Sequence, residues 1–201
     1  ALYQRENKRL TIYTNNTERV RIHSDGSITT NGNSSIPTGS TNGFGFTEDQ
    51  FYISGDGSGD NYQIRFYNSN GLVGSCMTSG SSTSYNTSSD YRLKENVISL
   101  TGAITRIKQL TPKRFNFKAN ASKTVDGFLA HEVTSIVPEA ISGTKDAVEP
   151  EDNADKGIKK GDIIPQAIDQ AKLVPLLTAA LKEAIAKIET LETKVAALEA
   201  G

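Results

Sequence analysis

The densest run of chemically able side chains is Ser88-Ser89-Asp90-Tyr91-Arg92-Leu93-Lys94-Glu95-Asn96-Val97, which gathers hydroxyls, carboxylates, a guanidinium, an amine and an amide. A serine near a lysine in a serine-rich tract is ordinarily solvated linker. Acid–base work between the two would need a neutral amine, and a lysine amine is neutral near pH 7 only where burial or neighbouring cations push its pKa well below about 10.4. Other candidates carry less. Cys76 is the single cysteine and reads as an inert side chain. His131 stands beside an apolar helix face, where a lone histidine is more often a hydrogen-bonded structural residue than a catalyst. The glycine/aspartate turn Gly55–Asp60 suggests calcium, but no repeat accompanies it. The acidic stretch Asp146–Asp155 has Ala154 where an EF-hand needs an oxygen ligand, so it reads as a solvated loop. No metal site and no cofactor are expected.

Composition bounds what these residues can serve. The chain has 201 residues, a formal net charge of −1, 36% hydrophobic and 7% aromatic residues and no Trp. That suits one ordinary domain or two small ones. One cysteine excludes an intrachain disulfide framework. A near-zero charge argues against nucleic acid as a partner. No apolar stretch approaches the roughly 18 residues that span a bilayer, so membrane insertion is not expected. No n-region/h-region pattern opens the chain, and a secretory signal is not expected either.

The elements that must hold the central run differ on its two sides. Of the 17 glycines, 11 precede Asp90, and Ser, Thr, Asn and Gly dominate from Ser24 to Ser89. Alternation predicts strands at 9–13, 19–23, 50–54 and 62–67, with Asp25-Gly26 as a turn and Asn68-Ser69-Asn70-Gly71 closing the last. The tract Ser79-Gly80-Ser81-Ser82-Thr83-Ser84 reads as flexible linker. So few large apolar residues make a thin core for one chain, and an intertwined β-rich oligomer is the expected solution. After Asp90, helical spacing appears over Leu100–Leu110, a strand at Phe115 and Phe117, and a short helix around Val133, Ile136 and Val137 that Pro138 should end. Residues 142–163 read as an exposed loop or hairpin. Leu177, Leu181, Ala184, Ile188, Leu191, Val195 and Leu198 alternate steps of four and three, a heptad seam on a helix that Pro175 can open.

The string Ser89-Asp90-Tyr91-Arg92-Leu93-Lys94-Glu95-Asn96 resembles the C-terminal intramolecular chaperone, or self-cleaving peptidase, domain of phage endosialidase tailspikes and tail fibres. Further similarity lies in Leu110-Thr111-Pro112 with Phe115 and Phe117, in Gly127-Phe128-Leu129-Ala130-His131-Glu132-Val133 with Pro138-Glu139-Ala140, and in Leu173-Val174-Pro175-Leu176-Leu177 with Ala180. His131 departs from the family, which usually has Gln there. The resemblance covers 89–201 and implies self-cleavage by a Ser–Lys dyad, a single-turnover serine endopeptidase with Ser89 as nucleophile and Lys94 as general base. Glu95 and Asn96 would orient the lysine or stabilise the oxyanion. Attack by the Ser89 hydroxyl on the preceding carbonyl passes through a five-membered ring to an ester that water can hydrolyse. Attack on its own carbonyl needs a strained four-membered ring. The Ser88–Ser89 bond is therefore favoured, with Ser89–Asp90 second, and cutting within one chain or between neighbours is open.

The expected architecture is α+β: a β-rich intertwined trimeric fibre segment over 1–88, then a mixed α/β chaperone over 89–201 ending in a long coiled-coil helix. The expected function is a tail-fibre or tailspike C-terminal region whose chaperone drives trimerisation and then releases itself. Its partners would be two further copies of the chain, the rest of the fibre, and a host surface glycan or protein receptor, met by loops around Phe44-Gly45-Phe46 and Tyr52. The mature part would reside in the virion tail fibre and the chaperone would be released in the host cytoplasm. The alternative is a non-cleaving receptor-binding tip with a permanent trimerisation clamp. The related myelin regulatory factors fit poorly, because this chain has no basic DNA-binding region.

Overall fold

The computed structural model describes residues 8–38, 41–55 and 57–201, so the Gly55–Asp60 turn lies partly outside the described residues. The chain divides into two compact units, Ala1–Glu95 and Asn96–Gly201.

The first unit contains two antiparallel meanders. The five-stranded sheet runs β1 (Leu10–Thr14), β2 (Thr17–Ile22), β3 (Ile28–Thr30), β4 (Gly43–Phe46) and β5 (Phe51–Ser54), each strand beside its neighbour in sequence. Asn15 and Asn16, both at positive φ (50° and 55°), make the two-residue β1–β2 connection whose twist suits a hairpin. The expected Asp25-Gly26 turn is present. Gly26 sits at φ 85°, and the His23 N–H donates to the Ser27 carbonyl at 2.8 Å. Residues opposite one another share a face. The pairs Leu10–Ile22, Ile12–Val20, Ile22–Ile28, Ile28–Phe46, Phe46–Phe51 and Phe44–Ile53 therefore join into one apolar face. The Phe46 and Phe51 rings stack on it at 4.6 Å, with Phe44 edge-on to both. On the opposite face Gly45 is covered by Ile36 and Pro37. A Cβ there would come within 2.9 Å of the Ile36 Cδ1, so a larger residue would push this strap away. Phe44-Gly45-Phe46 and Tyr52 thus lie in strands, where the sequence suggested loops.

The second meander is β6 (Asn61–Asn68), β7 (Gly71–Ser79) and β8 (Ser82–Thr87). The Ser/Gly tract expected to be linker is instead the β7–β8 hairpin. Gly80 at φ 55° makes the turn, and Ser79 through Gly74 pair with Ser82 through Thr87. Ser and Thr bury little apolar area, yet every second backbone group enters a ladder that composition does not report. Among the described residues of this unit only Thr29, Pro37, Gly45 and Ser75 are buried. Among the described residues neither meander fully buries a large aliphatic or aromatic side chain, and Phe51, Phe66 and Tyr85 stay exposed.

The second unit holds the apolar core. It comprises α1 (Ala103–Ile107), the hairpin β9 (Lys113–Phe117) and β10 (Asn120–Gly127), α2 (Ala130–Val133), the two-residue strands β11 (Ile141–Ser142) and β12 (Ala167–Ile168), and α3 (Val174–Glu199). Ala103, Val133, Ile136, Val137, Ala140, Leu173, Leu176 and Ala180 are buried together. The first helix is shorter than its periodicity suggested, because Gly102 opens it in the left-handed region (φ 67°) and Pro112 disfavours helix in the residue before it. Pro138 does not merely stop α2 but begins a 3-10 turn, Pro138–Ala140. Residues 142–163 form an irregular hairpin bridged at Val148–Ile163 and Asn153–Ile158. Pro175 sits in the first turn of α3, as expected. This helix buries Leu176 and Ala180, while the heptad residues Leu177, Leu181, Ile188, Leu191, Val195 and Leu198 are exposed. No helix of the described residues is long and apolar enough to cross a membrane.

One contact joins α1 to α3. Glu183 accepts from the Ala103 N–H (2.9 Å) and the Ile104 N–H (3.0 Å), the donors at the start of α1 that have no intrahelical partner. These backbone bonds, Ile104 first, hold the Glu183 carboxyl below the ordinary value of 4.5. A depressed folded-state pKa stabilises the fold above 4.5, and that contribution is lost as pH falls through the folded value. Glu183→Gln is accordingly expected to lower the melting midpoint at neutral pH, with the gap to wild type closing in acid, as read by thermal melts across a pH series. Leu176→Ala, at the centre of the core, is expected to cost about 2–5 kcal/mol in denaturant unfolding.

Candidate active site

The β8 strand ends at Thr87, and the next residue stays on the sheet. The Ser88 N–H donates to the Val73 carbonyl at 3.2 Å and its hydroxyl to the Leu72 carbonyl at 3.0 Å. After Ser89 the chain enters a single 3-10 turn, Tyr91–Leu93, because Asp90 caps it. The Asp90 carboxylate accepts the Arg92 N–H at 2.9 Å, and a carboxylate oxygen meeting a free N–H two residues on is the usual capping interaction. The same carboxylate takes the Arg92 guanidinium as a fork, Nε to Oδ1 at 3.0 Å and Nη2 to Oδ2 at 2.6 Å. The Arg92 side chain foremost, then its backbone N–H, holds the Asp90 carboxyl below the usual aspartate range, with a smaller contribution from the Lys94 charge. The Lys94 N–H closes the turn on the Tyr91 carbonyl at 3.1 Å.

This turn brings the two sequence-predicted catalytic residues together. Lys94 Nζ lies 2.7 Å from Ser89 Oγ, both exposed in the single chain. An ammonium at that distance donates to the hydroxyl oxygen, and a neutral amine would accept from the hydroxyl. The separation therefore suits proton transfer in either direction. Both residues fall in the first compact unit, as does Glu95. The Glu95 side chain makes no hydrogen bond among the described residues. Asn96 opens the second unit in the left-handed region (φ 52°).

Asp90 and Arg92 also belong to the site, although residue types and spacing assign them no role. The detectable signal was an aspartate immediately before a three-residue turn, with its guanidinium partner two positions on. In the second unit, Glu132 accepts from the Thr111 hydroxyl and pairs with Lys113 at 3.4 Å, which joins the Leu110-Thr111-Pro112 block to α2. The Thr111 bond foremost holds the Glu132 carboxyl below its ordinary value. His131 is exposed on α2 and makes no hydrogen bond among the described residues, so the expectation of a hydrogen-bonded structural histidine is not met. Cys76 is a free thiol within β7. Among the described residues no group of three His, Cys, Asp or Glu side chains is arranged to hold a metal ion.

Residues 89–142 match the family model described as chaperone of endosialidase, a family named among the peptidases. No curated protein matches the chain. The match begins at the serine of the pair and takes in the capped turn, α1, the β9–β10 hairpin and α2, so this stretch of the chain is similar to that family.

Proposed function

We propose that the chain is the C-terminal region of a phage tail fibre or tailspike, in which residues 89–201 assemble three copies and then leave by self-cleavage. The observation that carries this reading is the 2.7 Å pair of Lys94 Nζ and Ser89 Oγ at the first residue of the family match. Lys94 takes the Ser89 hydroxyl proton as Oγ attacks the Ser88 carbonyl carbon. The tetrahedral centre collapses with expulsion of the Ser89 nitrogen, which receives the proton from Lys94. The Ser88 acyl group then rests on Ser89 Oγ as an ester, and water releases it as a carboxylate. Because the pair forms within one chain, it favours cutting in cis.

Two features support the association step. The five-stranded sheet leaves its apolar face uncovered, with Phe44, Phe46 and Phe51 exposed. The heptad face of α3 is likewise uncovered. A sheet that buries no large apolar side chain of its own needs other chains to complete its interior. Aligning three chains through a C-terminal module raises their effective concentration for that step. The open seam of α3 serves the alternative equally, a non-cleaving receptor-binding tip with a permanent clamp. The fibre part would act in the virion tail against a host glycan or protein, with the released part left in the host cytoplasm.

Expression of the chain followed by denaturing electrophoresis separates the two readings. Two fragments are expected from wild type, with mass spectrometry placing the new ends at Ser88 and Ser89, and one full-length band is expected from Ser89→Ala and from Lys94→Ala. Native mass spectrometry of the Ser89→Ala chain is expected to show three copies. A wild-type trimer that stays whole on long incubation supports the clamp instead. If mixed Ser89→Ala and Lys94→Ala chains recover cutting, the pair acts between protomers and the cis assignment is wrong.

A further inference from the structure

We propose that Ser88 and the Asp90–Arg92 pair are positioning residues, the first fixing the bond to be cut and the second fixing the base, on either side of Ser89 in the chain. The inference rests on the cleavage reading above and adds the parts that aim it. Lys94 reaches Ser89 through a side chain with four rotatable carbon–carbon bonds, and both ends are exposed. Such a side chain has no reason of its own to dwell at 2.7 Å from one hydroxyl. What removes that freedom is the shape of the backbone between them. The Asp90 carboxylate gathers three donors from Arg92, its N–H, Nε and Nη2, while the Asp90 carbonyl accepts the Leu93 N–H at 3.2 Å. The Lys94 N–H is bonded back into the same turn through the Tyr91 carbonyl. The Lys94 backbone is thereby set relative to Ser89.

The energetics separate this role from general stabilisation. The Asp90 and Arg92 side chains are 38% and 74% exposed, and an ion pair so open to water adds little to folding. Removing it is therefore expected to misplace the amine while leaving the assembly intact.

On the other side, the Ser88 carbonyl is the electrophile of the favoured cut, and its residue is fixed by two bonds to β7. One is the N–H to Val73, which prolongs the ladder beyond Thr87, and the other is the hydroxyl to Leu72. Leu72 and Val73 lie in the first turn-proximal residues of β7, the central strand of its sheet. The carbonyl is thus presented only when the β7–β8 hairpin is closed, so cutting waits on the fibre's own last hairpin as well as on assembly. Geometry of this kind acts on rate, because holding reacting groups within about 3–3.5 Å is what turns proximity into catalysis.

The test follows cleavage of the full chain by denaturing electrophoresis, with oligomeric state by size-exclusion chromatography and melting midpoint measured on the same samples. Ser88→Ala removes the bond to Leu72, and Arg92→Gln removes the ion pair. Each is expected to assemble normally and to cut about 10–100-fold more slowly. Arg92→Lys, whose ammonium can still reach one carboxylate oxygen, is expected to recover part of the loss. Asp90→Asn retains a capping oxygen for the Arg92 N–H, so it should keep the oligomer and melting midpoint while slowing the cut. Wild-type cleavage rates in the assembled variants would overturn the proposal. So would loss of assembly in step with loss of cutting in Asp90→Asn and Ser88→Ala, since that marks a structural role. A wild type that stays whole, or a Ser89→Ala chain that is cut, overturns the cleavage reading and the proposal with it.

Discussion

Burial of apolar surface is divided unequally along this chain, and that imbalance governs the rest. The second unit gathers helices and short strands around Val133, Val137, Leu173 and Leu176, a small interior closed by side chains from well-separated parts of the sequence. Among its described residues the first unit has no such interior. Its five strands place Leu10, Ile12, Val20, Ile22, Ile28, Phe44, Phe46, Phe51 and Ile53 on one side, where Ile12, Phe44, Phe46 and Phe51 are exposed and none of the others is fully buried. Hydrophobic burial is the main favourable term in folding, so a sheet like this is half of an interior. A unit that folds around its own core and a sheet unit that does not are complementary properties.

The candidate site lies beside the point where these two kinds of structure meet in sequence. Ser89 follows directly on the last residue held by the β7–β8 sheet, and Lys94 comes one capped turn later. Both reacting groups lie before the boundary of the compact units, although the family match has already begun. A backbone break at Ser88–Ser89 would leave Ser88 with both of its bonds to β7. The turn would depart with its carboxylate–guanidinium fork whole.

Much of this was legible in the sequence, for identifiable reasons. The heptad and Pro175 marked α3 because a long helix repeats its pattern many times over. Alternation marked β1, β2, β5 and β6, and Asp25-Gly26 marked a turn that demands positive φ. Composition misled at Ser79–Ser84, where small polar residues concealed a paired hairpin. Gly43-Phe44-Gly45-Phe46 was obscure because two glycines break the usual strand composition, and the packing of Ile36 and Pro37 over Gly45 is not visible in its local window. The Glu183 bonds to α1 span about eighty positions and were equally out of reach. In the central string, residue types showed the hydroxyl and the amine but not the Asp90 cap that brings them together, since capping depends on where the turn begins.

Every hydrogen-bonded strand pair in the structure joins neighbours in sequence. Where a tight turn joins the two strands, as in β1–β2, β6–β7 and β7–β8, that turn sets the register locally. Hairpins of this sort close in about 1–10 μs, far sooner than separate molecules meet at cellular concentrations. The sheets therefore form early, with apolar side chains such as Phe51 and Phe66 still open to water. While that face stays open, any apolar surface the chain meets competes for it.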